Sequence, residues 1–400
     1  MSNTADSDPA LGGVIYMDHA ATTPTDEAVL REMEPYFGQY YGNAATMYSV
    51  GVKAGEALEA ARHEVALALG AEDREIYFTS GGTESDNWAL FGAAYANQKK
   101  GRHIITSAIE HHAVLEPAQM LTKRGFDVTL VPVDRYGWVA PDDVRRAITD
   151  QTTLISVMHA NNEVGTIEPV EEIGRIAREH GIPFHTDAVQ TVGKIPVNVD
   201  ALNCDLLSLS AHKFHGPKGV GALYVRRGTR LERFMAGGGQ EFNRRAGTHN
   251  IPGIVGLAKA LEFANGQIDG TRPRLEALAR RLRDGLQERI ERIRFNGHPE
   301  RRVPGNVHIC VEGVEGEAML LCLDMNRVCV SSGSACTTGS LEPSHVLLAM
   351  GMPPEVAHGS VRFTLGRDNT QAEVDYVLEV FPPIVKRLRS MSPVGLSSDG

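Results

Sequence analysis

Basic charge, cysteine and long apolar runs are all scarce in this 400-residue sequence. Its 40 lysines and arginines face 50 aspartates and glutamates, a formal net charge of −10. Nucleic-acid surfaces present clustered basic patches, so this balance argues against one. No apolar run reaches the roughly 18 residues of a membrane-spanning helix. The stretch from Met1 to Gly13 is small and polar, reads as a frayed leader, and lacks the charged-then-apolar pattern of a secretory signal. A cytoplasmic protein with no membrane or nucleic-acid partner is expected. Five cysteines cannot make a disulfide framework for a chain of this size, and the odd count leaves a thiol free. Cys204, Cys310, Cys322 and Cys329 lie in or beside apolar stretches and read as small buried hydrophobes. Metal spacing is missing too: the histidines His111, His112, His159, His185, His212 and His215 include no His-Glu-x-x-His pair, and no cysteine adjoins them.

What is present is an ordinary globular composition, 42% hydrophobic and 22% charged, in a chain too long for one core. A large domain over residues 15–257 and a smaller one from residues 1–14 and 258–400 are expected. In the first part, β-rich runs alternate with helical patterns. The runs are Glu75–Thr79, His103–Thr106, Val128–Val133, Leu154–His159, Phe184–Asp187, Asp205–Ser210 and Gly221–Val225. Helical stretches such as Gly55–Leu69 and Glu171–His180 stop at Gly70 and Gly181. The alternation predicts an α/β fold with a mostly parallel sheet, which binds ligands beyond the carboxyl ends of its strands. From Ile254 to Ile293 the pattern is helical with a break expected at Gly270–Pro273. Strands at Asn306–Val311 and Ser360–Leu365 and a helix at Ala372–Leu388 complete a smaller α+β unit.

Three motifs fall where that rule places ligands. After the first run, Ser80-Gly81-Gly82-Thr83-Glu84-Ser85-Asp86 opens a helix, with Thr83 as its N-cap and Asp86 three residues on. It reads either as a capping box or as an anion site, because glycines let backbone N–H groups approach a phosphate at a helix start. Asp187 ends Phe184-His185-Thr186-Asp187, leaving a carboxylate at the same edge. Lys213 follows Asp205-Leu206-Leu207-Ser208-Leu209-Ser210-Ala211-His212, while Lys218 in Gly216-Pro217-Lys218-Gly219 looks like surface. A Schiff-base lysine needs a dry site where its amine is neutral. A phosphate cradle, a carboxylate for a pyridine nitrogen and such a lysine together suggest pyridoxal phosphate. Finally, Cys336 sits in Ser331-Ser332-Gly333-Ser334-Ala335-Cys336-Thr337-Thr338-Gly339-Ser340, where nothing is suited to a core.

The chain resembles the cysteine desulfurases that supply sulfur for iron–sulfur clusters, within the class V aminotransferase superfamily. The matching stretches include Asp18-His19-Ala20-Ala21-Thr22-Thr23-Pro24, Thr79 to Asn87, Glu110 to Leu115, Asn161 to Thr166, His185 to Gln190 and Ser210 to Lys213. Arg245-Ala246-Gly247-Thr248, the loop Ser331 to Cys336 and Gly359-Ser360-Val361-Arg362-Phe363 extend them, so the likeness runs from about Ile15 to Pro393. The chain stops soon after Pro393, which resembles the nitrogen-fixation type more than housekeeping relatives with a longer tail.

The resemblance implies fold type I of the pyridoxal-phosphate enzymes, and conversion of L-cysteine to alanine with the sulfur held as a persulfide. Lys213 would form the Schiff base, Asp187 would pair with the pyridine nitrogen and His111 would stack on the ring. Gln190 and Asn162 would contact the phenolic oxygen and its surroundings. Gly82, Thr83, Ser210 and His212 would hold the phosphate, joined by Thr248 from the other subunit of a homodimer. Arg362, Asn43 and Asn162 would bind the substrate. Cys336 would be the nucleophile, passing sulfur to an iron–sulfur scaffold or another acceptor protein and touching metal only transiently, through its persulfide. An aminotransferase or β-lyase of the same fold needs no loop cysteine, and selenocysteine lyases carry a different motif around theirs. A non-catalytic scaffold has no use for Lys213, Asp187, His111 and Cys336 together.

Overall fold

A computed structural model of the chain describes residues 13–332 and 342–391. The expected leader, apart from Gly13, and Cys336 with most of its loop lie outside them. A short strand β1 (Ile15–Tyr16) precedes the seven predicted strands. These are β2 (Ile76–Thr79), β3 (His103–Ser107), β4 (Asp127–Val131), β5 (Thr152–Ser156), β6 (Phe184–Asp187), β7 (Leu206–Ser210) and β8 (Gly221–Val225). All seven join one sheet in the order β2-β8-β7-β6-β5-β3-β4. Only β8 runs antiparallel to its neighbours, and the other pairings are parallel. Sheets of this kind are covered on both faces, and β2, β3, β5, β6, β7 and β8 are buried at every position as that requires.

The smaller unit has a three-stranded antiparallel sheet, β12-β10-β9, made from β9 (Ile293–Asn296), β10 (Asn306–Val311) and β12 (Ser360–Thr364). Strand β11 (Val328–Cys329) pairs with β1, and Met17 packs in the core of this unit. Cys204 and Cys310 are buried as expected, whereas Cys322 and Cys329 are only half-buried. Cys329 belongs to a two-stranded edge and Cys322 lies within reach of Arg387 at 3.1 Å, so neither is in a packed centre.

The break expected at Gly270–Pro273 is absent. One helix runs from Ile251 to Arg289, 39 residues with Pro273 inside it, about 58 Å long at 1.5 Å per residue. Its first turns, from Ile251 to Leu261, pack into the core of the large sheet, and Leu275, Leu278, Leu282 and Leu286 pack into the smaller one. Pro273 removes one helical hydrogen bond, but Asp269, whose carbonyl loses its donor, is exposed and open to water. Burial at both ends outweighs the local propensity. Ile293, read as the last helical residue, instead begins β9. Among the described residues no helix is long and apolar enough to cross a membrane.

Candidate active site

At the carboxyl edge of the large sheet, two adjacent strands end in chemistry. Strand β6 ends at Asp187, 6% exposed, whose Oδ1 accepts the Val189 N–H at 2.9 Å. Strand β7 runs into a single 3-10 turn, Ala211–Lys213. There Lys213 Nζ donates to the carbonyls of Ala20 at 2.7 Å and Ala21 at 2.8 Å. The same turn brings His212 Nδ1 within 3.1 Å of Thr22 Oγ1. Lys218 is exposed.

Beside these ends the helix Gly82–Asn97 begins. A Cβ on Gly82 would stand 2.7 Å from Val189 Cγ2 and 3.6 Å from Ser210 Cβ, so only glycine lets the helix start come this close to the edge. The predicted cap is corrected: the N-cap is Gly81, Thr83 is exposed one residue inside the helix, and no side chain caps it. Glu84, not Asp86, reaches back, accepting the Ser80 N–H at 2.8 Å while gripping Arg245 at 2.7 Å. Asp86 faces the core, 1% exposed, with Oδ1 lacking a hydrogen bond and 3.6 Å from His185 Nε2.

His111 caps the next helix, His112–Thr122, through Nδ1, which accepts the Ala113 N–H at 3.1 Å. Burial, then the charges of Lys213, His112 and His345, push its pKa down to about 4. The ring is therefore neutral at pH 7 with its proton assigned to Nε2, because Nδ1 is an acceptor. Burial pushes Asp187 up to about 6, against the Val189 hydrogen bond and Lys213, which pull it down. Asp86 is driven well above the carboxylate range by burial and then by Asp187. Of these two carboxyls, Asp86 keeps the proton and Asp187 carries the charge, since Asp86 has only the Ser208 hydroxyl to set against its burial while Asp187 has a cation, Lys213, as well as a donor.

Arg362 arrives from the other sheet. It lies on β12, is 3% exposed, and donates from Nη1 to the Asn162 carbonyl at 2.7 Å and from Nη2 to Asp18 Oδ1 at 2.8 Å, leaving Nε without a partner among the described residues. Together, Gly82, Thr83, His111, Asn162, Asp187, Gln190, Ser210, His212, Lys213 and Arg362 line one pocket of about 900 Å³. Two expected site residues are elsewhere. Asn43 is exposed, its Oδ1 accepting the Ala45 N–H, and Thr248 is exposed; neither lines this pocket. Cys336 lies outside the described residues, but the segments flanking it are held near the pocket. Ser331 pairs backbone to backbone with Arg362, and Ser344 Oγ donates to Glu163 Oε2 at 2.5 Å.

The aminotransferase class-V family model matches residues 15–377. The chain belongs to that family, on its cysteine desulfurase branch. It is 54% identical over 380 residues to the cysteine desulfurase IscS of Methanosarcina thermophila, covering 95% of this chain and 94% of that one. The cysteine desulfurase IscS of Clostridium botulinum is 53% identical over 382 residues, covering 95% and 96%. Among solved structures, a NifS-like protein superposes with a TM-score of 0.88 at 40% identity, covering 94% of this chain and 100% of its own. A second, SspA in complex with cysteine, has a TM-score of 0.79 at 37% identity, covering 89% and 100%.

Within this family frame, two groups escaped the sequence reading. The carbonyls of Ala20 and Ala21 hold Lys213, yet backbone acceptors leave no side-chain signature. Asp86 was legible only as a capping acid. Its one signal was its place on the apolar face of the helix, among Ser85, Trp88, Ala89 and Leu90, all buried.

Proposed function

We propose that this chain is a cysteine desulfurase that uses pyridoxal phosphate, converts L-cysteine to L-alanine and carries the sulfur as a persulfide on Cys336. The observation that carries the reading is the meeting of Lys213 and Asp187, from adjacent strand ends, with Arg362 from the other sheet in one pocket. The pocket fits the cofactor. The approach at Gly82 that a Cβ would block puts a helix start beside Ser210 and His212, a cradle suited to a phosphate. Asp187, ionised and buried, suits a protonated pyridine nitrogen, and neutral His111 suits a ring face. When bound, pyridoxal phosphate supplies an electron sink for charge developing at the substrate Cα.

The protein's own residues supply the rest. Arg362 takes the substrate carboxylate with its planar fork, joined by Asn162 and, by family likeness, Asn43. Lys213 Nζ removes the Cα proton and later returns one to the product. The Cys336 thiolate attacks the substrate sulfur, so that a carbon–sulfur bond breaks, a sulfur–sulfur bond forms, and alanine leaves. A thiol with pKa near 8.5 is only a few per cent thiolate at pH 7, so its surroundings must favour the thiolate, and His111, whose Nε2 carries the ring proton, can do so by donating a hydrogen bond to the sulfur.

The division into residues 15–257, holding the cofactor, and residues 1–14 with 258–400, holding the thiol, belongs to the same reading, as does a homodimer. Phe37, Tyr41 and Met47, beside Asn43, are 69%, 72% and 96% exposed, an apolar surface that a second copy would cover, bringing Thr248 to its neighbour's phosphate. The persulfide would pass to an iron–sulfur scaffold or another sulfur acceptor.

The test is mass spectrometry of the protein after treatment with L-cysteine. One added sulfur on the peptide holding Cys336 is expected, with alanine released. Cys336→Ala should keep the cofactor bound and lose both persulfide and alanine formation by orders of magnitude. Sulfur on Cys329 instead would move the nucleophile's role to that thiol, and unchanged alanine and sulfide formation in the variant would point to a β-lyase or aminotransferase.

A further inference from the structure

Gln190 has a neighbour that the reaction as described leaves idle. Lys194, four residues further on, donates from Nζ to Gln190 Oε1 at 3.2 Å. On its other side Gln190, 7% exposed, donates from Nε2 to the Ala20 carbonyl at 3.0 Å, the same oxygen that accepts Lys213 at 2.7 Å. Lys194 also lines a second cleft of about 820 Å³, which shares Ala20, Asn162, Gln190 and Lys213 with the cofactor pocket. Gln190 therefore stands in the wall between two cavities with Lys194 behind it.

We propose that Lys194 is a positioning residue that fixes the side-chain amide of Gln190, so that the donor Nε2 and not the acceptor Oε1 is presented to the cofactor pocket. An amide's two ends are nearly the same shape, and packing alone does not choose between them. Hydrogen bonding does. An ammonium only donates and a carbonyl only accepts, so wherever Lys194 is charged, below about pH 7, the pair Lys194 and Ala20 admits one orientation and forbids the other. A flip would set Oε1 against the Ala20 carbonyl and Nε2 against the ammonium, two repulsive contacts in place of two hydrogen bonds. Ion pairing does not account for the lysine's placement. No ion pair among the described residues involves Lys194, and the charges that act on it, Lys213 and Arg362, are cations that join burial in pushing it down to about 7.

The proposal rests on the reading of Gln190 as a cofactor contact, and a double-mutant cycle separates the two. Apoprotein of the wild type, K194M, K194R, Q190L and K194M/Q190L is titrated with pyridoxal phosphate, following the dissociation constant and the position of the bound absorbance band. K194M should weaken binding about five- to tenfold and shift the band, as expected for one lost hydrogen bond. K194R, still a pure donor, should stay within about twofold of wild type. In the Q190L background K194M should add nothing. If K194M does not fold, K194Q takes its place in the cycle, since a glutamine also lifts the donor-only constraint. A K194M protein indistinguishable from wild type, or one whose full loss persists in the Q190L background, overturns the assignment. A Q190L protein indistinguishable from wild type overturns the Gln190 contact itself and this proposal with it.

Discussion

The edge of the large sheet and strand β12 both face the pocket, but they hold their side chains in different ways. At the sheet edge, Asp187 and His111 are restrained by N–H groups two residues along, those of Val189 and Ala113. These contacts form as soon as the strand and helix form. Arg362 on β12 has no local restraint: its partners are Asn162, 200 residues away, and Asp18, 344 away, with Ser331 pairing to its backbone. The first set is made by secondary structure, and the second exists only when the two sheets are docked. On the proposed reading, the Asp187 and His111 contacts to the cofactor are thus preset, whereas capture of the substrate by Arg362 depends on assembly, as expected where one side must be rigid and the other must admit and release ligands.

The comparison breaks most sharply at Lys213. Lys213→Ala removes the base at the sheet edge, itself held by the distant Ala20 and Ala21 carbonyls, and should lower alanine formation on the order of a thousandfold or more. Borohydride should fix the cofactor covalently to the wild-type peptide holding Lys213 and to no peptide of the variant; an adduct on Lys218 would reassign the role. On the assembled side the effect should be smaller and of another kind. Arg362→Lys keeps the charge but loses the fork, so it should raise KM for L-cysteine about tenfold to a hundredfold and change kcat less. An equal fall in kcat with KM unchanged would mean that Arg362 acts in the transition state and not in capture.

The same contrast governs how much was legible in the sequence. All seven strands of the large sheet were readable from their apolar and β-branched runs, and the six buried on both faces have no alternative pattern to confuse them. Asp187 and Lys213 were readable because they sit at strand ends, where a ligand-binding edge was expected. The helix Ile251–Arg289 was misread because a local breaker, Pro273, is overridden by leucines that find a partner only in the tertiary structure. The Thr83 cap failed for a related reason. Gly81 and Glu84 satisfy the helix start, which releases Asp86 into the core. Arg362 was found by family likeness alone, because partners so distant in sequence leave no spacing to read.

The smallest effect expected concerns two buried histidines, one in each sheet. His185 in the large sheet has both nitrogens matched, by Ser156 Oγ at 2.8 Å and Ser208 Oγ at 3.0 Å. His308 in the small sheet has Nδ1 within 2.9 Å of Asn296 Nδ2, and its Nε2 has no partner among the described residues. Burial, reinforced for His308 by Arg362 and Arg302, pushes both down to about 3. A free histidine titrates near 6.5, so between that value and about 3 the unfolded chain binds a proton that the folded chain refuses. Stability from each is therefore fully present above about pH 6.5 and declines as the pH falls, by about 1.4 kcal/mol per unit for one proton. His308→Gln keeps an acceptor for Asn296 and removes the titration. The loss of unfolding free energy between pH 7 and pH 5, measured with urea at both, should be about 2 kcal/mol smaller in the variant than in wild type. The other buried histidines contribute equally to both proteins and cancel, so the absolute stability of the variant does not enter. A variant whose loss over that interval equals that of the wild type would show that His308 takes up its proton in the folded chain, with the small sheet opening enough to hydrate it.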